Sequence, residues 1–183
     1  MSPRAPRADA LRNRARILAA ARDAFARDGL DVPLDTVAER AGVGAGTVHR
    51  HFPTKEALVG AVIADRLEQL ADRATLLGEQ PEDFFAFLGE LVESGRDNLA
   101  LSAALGGTLG ADGAAFAERL SSAFASLLAK AQSSGVVRQD VTAAEIHAIL
   151  AGVLATESRL PPKRRGLGLE IAIAGLRASR PSR

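Results

Sequence analysis

The sequence predicts an all-α fold of nine helices in two domains, a three-helix N-terminal head followed by a six-helix body. Three observations lead there. Apolar residues recur at helical spacing through almost the whole chain. Short β-branched runs occur, but none alternates over the length of a strand. Glycines, prolines and hydroxyl-bearing caps fall between the periodic segments, where helices stop and start.

Residues 1–8, Met-Ser-Pro-Arg-Ala-Pro-Arg-Ala, read as a disordered basic arm. The spacing of Ile17, Leu18, Ala21, Ala24 and Phe25 predicts a first helix from Asp9 to Asp28, with Gly29 as its stop. Leu34, Val37, Ala38 and Ala41 mark a second, short helix ending at Gly42. After a tight turn, a third runs to Phe52. Two short helices about a glycine-containing turn make a helix-turn-helix, whose second helix fits the DNA major groove. Thr54 caps a fourth helix carrying Leu58, Val62, Ile63, Leu67 and Leu70, fading near Gly78.

Pro81 reads as the opening of a fifth helix through Asp97, with Phe84, Phe85, Phe87, Leu88, Leu91 and Val92 on its apolar face. The Leu99–Leu109 segment reads as a short, irregular sixth helix, loosened by Gly106, Gly107 and Gly110. A seventh spans Ala111–Ser134, burying Phe116, Leu120, Phe124, Leu127 and Leu128, and Gly135 ends it. Thr142 caps an eighth helix, broken by Pro161 and Pro162, and a ninth runs from Lys163 to Ala178. The eighth and ninth are apolar over more than one buried face requires. That pattern suits either a buried hairpin or an interface between two copies, with Ile146, His147, Leu150, Val153, Leu154, Leu169, Ile173 and Leu176 as candidates.

The net charge of +1 conceals an asymmetry: residues 1–55 carry 10 Lys/Arg against 6 Asp/Glu, and the remainder is net acidic. Six arginines fall in the first 22 residues with one acid, Asp9. Phosphate binding needs such local positive potential and not a high overall pI. The absence of cysteine excludes a disulfide framework and thiolate chemistry. With no signal-peptide pattern and no apolar run near the roughly 20 residues of a membrane span, a cytoplasmic, nucleoid-associated protein is expected, with no membrane partner.

The stretches Arg14–Phe25, Gly29, Val37–Val43 and Gly46–Leu58 closely resemble the tetracycline-repressor (TetR/AcrR) family of bacterial one-component regulators. The resemblance is close over roughly the first 60 residues and rests on helix number and hydrophobic pattern beyond them. It implies a homodimer with heads at 9–54 and bodies at 55–183, the last two helices of each subunit pairing. It also implies binding to a double-stranded DNA operator and response to a small-molecule effector, with repression relieved when the effector binds.

Matched position by position, the resemblance implies a phosphate contact from Thr47 and a base contact from Arg50, whose guanidinium suits guanine O6/N7. Gly44, Ala45 and Gly46 let the backbone approach the groove. Lys55 would meet phosphate at the start of the fourth helix. Arg4 and Arg7 would enter the minor groove as a basic arm. Three departures stand out. His49 replaces the usual tyrosine, so that contact becomes sensitive to pH near the ordinary histidine value of about 6.5. Gly44 replaces a capping serine, and Pro33 a capping threonine. His51 lies in the same basic turn.

Other chemistry is poorly supported. Gly42-Val-Gly-Ala-Gly46 has no preceding strand and no following Gly-Lys-Ser/Thr, so it does not fit a nucleotide loop. His49 and His51, two apart on a helix, point to different faces and do not chelate, so no metal is expected. No carboxylates pair as a general acid and base, and neither catalysis nor a cofactor is expected. An effector cavity would be mostly apolar, with Phe84, Phe87, Leu91, Phe116, Leu120 and Phe124 as candidate lining and Arg96 as a polar contributor. Two alternatives stay open: a sequence-nonspecific DNA-binding protein, and a helical small-molecule carrier that has lost operator binding.

Overall fold

The computed structural model of the chain describes residues 6–80, 82–104 and 111–178, with side-chain placements for 8–80, 82–96 and 113–178. Its helices are α1 (Pro6–Asp28), α2 (Leu34–Ala41), α3 (Ala45–His51), α4 (Lys55–Leu76), α5 (Asp83–Ala104), α6 (Ala111–Ser133), α7 (Ala143–Glu157) and α8 (Leu167–Leu176). A 3-10 turn at Pro162–Arg164 precedes α8. No strand occurs among the described residues. An isolated antiparallel bridge joins Val137 to Arg177.

Among the described residues, eight α-helices stand where nine were expected over the chain. The expected fifth and sixth are one, because α5 continues without a break to Ala104. The glycines expected to loosen that stretch lie outside the described residues, as does Pro81. At the other end, α1 begins at Pro6, three residues before the expected start at Asp9; proline suits a first turn, where its missing N–H has no partner to lose. The last helix is shorter than expected because Gly166, at φ +97°, restarts the chain after the 3-10 turn.

Contacts divide the chain into two compact units, Met1–Arg66 with Ala100–Ala114, and Leu67–Leu99 with Ala115–Arg183. In the first, the α1 stripe (Ile17, Leu18, Ala21, Ala24 and Phe25) is buried, together with Val37, Ala38 and Ala41 of α2, Val48 of α3, Phe52, and Leu58, Val62 and Ile63 of α4. Burying each of the larger side chains among them, valine, leucine, isoleucine or phenylalanine, contributes about 1.5–3 kcal/mol, which outweighs the weak propensity of helices as short as α2 and α3.

The second unit has its own core, in which Phe84, Phe87 and Leu88 of α5, Phe124 and Leu127 of α6, Val137, and Ile146 and Leu150 of α7 are all buried. The Phe84 and Phe124 ring centroids are 5.7 Å apart, and those of Phe87 and Phe124 6.4 Å apart. A full capping box starts α7: the Thr142 hydroxyl accepts from the Glu145 N–H at 3.3 Å, and the Glu145 carboxylate accepts from the Thr142 N–H at 2.7 Å. Arg177, beyond α8, makes a two-bond contact to Glu82 at 3.0 and 2.8 Å, with its guanidinium 4.4 Å from the Phe85 ring centroid. Among the described residues, no helix is long and apolar enough to cross a membrane.

Candidate functional site

The helix-turn-helix is built around Gly42. It ends α2 at φ +60°, its N–H bonding back to Ala38 and Glu39 carbonyls, while the next N–H, of Val43, reaches Ala38 O at 3.1 Å. Only glycine takes that conformation without strain. Arg16, from α1, donates to the Gly42 carbonyl at 3.1 Å and so ties the turn to α1. Local patterning does not reveal this contact, because its partners are 26 residues apart.

Val48 is fully buried and anchors α3. Around it, Gly44, Ala45, Gly46, His49 and Arg50 are exposed, with Thr47, His51 and Lys55 half-buried. The N-cap Gly44 sits at φ −70° and makes no side-chain cap, as the sequence anticipated. Neither Gly44 nor Gly46 has a positive φ. A Cβ on Gly46 would meet nothing within 4 Å, and one on Gly44 only the Thr47 hydroxyl at 4.0 Å. Among the described residues, nothing in backbone or packing requires glycine there.

Arg50 lies back along its own helix, its Nε donating to the Gly46 carbonyl at 3.0 Å and its Nη2 to the Thr47 hydroxyl at 3.5 Å. The His49 Nε2 is 3.9 Å from an Asp35 carboxylate oxygen on α2, an acidic neighbour that sequence spacing did not reveal. Lys55 is the first residue of α4, where the Thr54 hydroxyl accepts from the Ala57 N–H at 3.1 Å. Arg4 and the Arg7 side chain lie outside the described residues.

Much of the arginine excess of α1 is used internally. Arg12 pairs with Asp9, and Arg22 reaches Asp65 of α4 at 2.6 Å. Arg14 lies over the Phe52 ring, 5.8 Å from its centroid. On α2, Arg40 pairs with Asp28 at 2.6 Å. Positive potential at the helix-turn-helix therefore rests on Arg50 and Lys55, supplemented by Arg14 and Arg16, whose contacts neutralise no charge.

In the second unit, the candidate effector residues fall into two groups. Phe84, Phe87 and Phe124 fill the hydrophobic core, with Leu91 and Leu120 packed against it. Phe116 is half-buried, beneath the Arg119 guanidinium at 5.7 Å. Arg96 instead borders a cavity of about 270 Å³, together with Leu154, Glu157, Ser158 and Arg165. Among the described residues, no cluster of three or more His, Cys, Asp or Glu is placed to hold a metal ion.

The candidate interface residues divide likewise. Ile146, Leu150, Val153 and Leu176 are buried in their own protomer, because the α7 and α8 faces that carry them close the core. Leu154, Leu169 and Ile173 are partly buried against it. His147 is exposed on one side and stacks on Phe124 on the other, 4.7 Å between centroids; this partial burial pushes its imidazole below the usual histidine range. The outward faces instead carry Ala148, Ile149, Ala151, Gly152 and Ala155 on α7, and Ile171, Ala174 and Gly175 on α8.

A glycine-turned helix pair, anchored by Val48 and presenting a smooth, cationic face, defines a helix-turn-helix DNA-binding regulator joined to a helical body. Residues 17–62 match the family described as bacterial regulatory proteins, tetR family, and residues 80–178 match the C-terminal domain described as transcriptional regulator SbtR-like. A TetR transcription regulatory protein from Mycobacterium vanbaalenii is 42% identical, with 94% of this chain and 99% of that one covered and a TM-score of 0.75. The TetR transcriptional regulator SCO0520 from Streptomyces coelicolor is 32% identical over 91% of this chain and 99% of its own, with a TM-score of 0.76. No curated protein matches. The chain belongs to the TetR family of transcriptional regulators, which are DNA-binding proteins and not enzymes.

Proposed function

We propose that the protein is a ligand-responsive repressor that binds a pseudo-palindromic operator as a homodimer and leaves it when a small-molecule effector binds. Residues 9–54 form the DNA-binding domain and residues 55–183 the effector-binding and dimerisation domain. The observation that carries the reading is the surface of α3. Gly44 and Gly46 are required by nothing within the chain, and the smooth backbone they leave suits close approach to a groove. Arg50, bonded to two groups of its own helix, can exchange them for base edges at little cost. Thr47, His49 and Lys55 contact phosphate, and Arg4 and Arg7 the minor groove.

Dimerisation uses the outward faces of α7 and α8, where small side chains let helices approach closely and Ile149 and Ile171 remain 41% and 65% exposed. Two recognition helices then meet major grooves about 34–36 Å apart. The effector acts through its different affinity for the DNA-competent and DNA-incompetent states, and the protein works in the cytoplasm, at the nucleoid. Footprinting on DNA flanking its own coding region tests this. Two protected patches about one helical turn apart, lost in Arg50→Ala, are expected; continuous, unpatterned protection would contradict operator recognition.

A further inference from the structure

The cavity bordered by Arg96, Leu154, Glu157, Ser158 and Arg165 has a charge arrangement that points to the class of its ligand. Glu157 is 1% exposed. Its carboxylate accepts from the Gly166 N–H at 2.6 Å, the Gly168 N–H at 2.9 Å and the Arg96 guanidinium at 3.0 Å. Those contacts, led by the Gly166 N–H, hold it below the usual carboxylate range. The negative charge of Glu157 is thus already fully engaged by the start of α8 and by Arg96.

Two arginines, Arg96 and Arg165, line the cavity with this single carboxylate. Arg165 makes no ion pair with any described residue, and a guanidinium has five donors, of which Glu157 engages one on Arg96. The Ser158 hydroxyl donates to Ala155 O at 2.9 Å, so its proton is committed and it is left as an acceptor. Leu154, packed closely over Gly95 of α5, supplies an apolar wall. Arg159, Lys163 and Arg164 add exposed positive charge, and no acid occurs between Glu157 and Glu170. Such a field concentrates anions at the mouth of a cleft.

We propose that this cavity is the effector site and that it takes a small amphipathic carboxylate. The carboxylate is held by Arg165 and by the free donors of Arg96, and the short apolar part lies against Leu154. The volume, about 270 Å³, falls just below the roughly 300–1,000 Å³ of drug-sized pockets and suits a short chain or a single ring. The proposal rests on the ligand-responsive reading above and gives it a chemistry. A bound anion shares Arg96 with Glu157, and Glu157 holds the first N–H groups of α8, so occupancy touches α5, α7 and α8 together.

Calorimetric titration of the purified full-length protein with hexanoate, hexanamide and inorganic phosphate tests the site without DNA. Hexanoate is expected to bind saturably, at least tenfold more tightly than either hexanamide, which keeps the chain and loses the charge, or phosphate, which keeps the charge and loses the chain. Arg165→Gln, at an exposed position, is expected to reduce hexanoate affinity at least tenfold without changing the melting temperature of the free protein. Arg96→Lys keeps the charge opposite Glu157 but loses the planar fork, and is expected to weaken hexanoate binding as well. No hexanoate binding, equal binding of hexanamide or phosphate, or an unchanged affinity in Arg165→Gln would each overturn the proposal. A DNA-release assay with the same hexanoate separates the two readings: binding through Arg165 without release supports the site and counts against ligand-responsive repression.

Discussion

Replacing Glu157 by alanine strikes the one carboxylate buried among the described residues, and its cost can be worked from its contacts. Two backbone N–H groups at the start of α8 donate to it. Hydrogen bonds to a charged acceptor contribute about 1.5–3 kcal/mol each, so losing two at the lower value costs about 3 kcal/mol. The Arg96 contact adds under about 1 kcal/mol, because that guanidinium is 39% exposed and solvent screens it. For a chain of this size, about 3 kcal/mol corresponds to a fall of roughly 6–12 °C in melting temperature. Thermal unfolding followed by circular dichroism, at matched protein concentration because the proposed dimerisation would make stability depend on it, measures the shift. The pH dependence is a second signature. Glu157 is held below the ordinary glutamate value of 4.5, so its contribution is present above that value and is lost as pH falls through the lower, folded-state value. Glu157→Ala should therefore flatten the loss of stability below about pH 4.5. A shift under about 2 °C at pH 7, with an unchanged acid limb, would refute the role assigned to this carboxylate.

Gly46→Ala and Gly42→Ala should separate a functional glycine from a structural one. The first meets open space and gains helix propensity, so stability should hold or rise by up to about 1 kcal/mol while DNA affinity falls. The second forces a Cβ into the left-handed region, 2.6 Å from the Arg16 guanidinium, and should lose about 1–2 kcal/mol in urea unfolding. Arg50→Ala should lose about 1–3 kcal/mol of discrimination between operator and random duplex by fluorescence anisotropy. Lys55→Ala should weaken both alike and reduce the slope of log affinity against log salt by about 1. Thr142→Ala should cost about 1 kcal/mol, the worth of a helix N-cap, with DNA binding unchanged.

The head was legible in the sequence because its determinants are local. Gly42, Val48 and the Thr54 cap act within a few residues of where they stand, and helical spacing alone assigned the α1 stripe to the core. The body was less legible wherever two solutions share one pattern. Phe84, Phe87 and Phe124 suit a cavity lining as well as a filled core, and their packing on one another in the core is visible only in the structure. Ile146 and Leu150 read equally as interface or interior, since α7 is apolar on both faces. The break expected near Leu99 came from glycines that follow it, whereas α5 runs on through Ala104. Glu157 was missed altogether: its partner Arg96 is 61 residues away, and nothing near a glutamate in an apolar helix announces that the next helix begins on its carboxylate.

The most direct test of operator recognition is selection from a randomised duplex pool by the purified protein at about 0.15 M salt, where surface electrostatics are screened as they are in the cell. Enrichment of an inverted repeat, with half-sites about one helical turn or a multiple apart, is the expected result. A pool that stays random while the protein binds all its members with equal, steeply salt-dependent affinity would contradict it and identify a sequence-nonspecific DNA-binding protein.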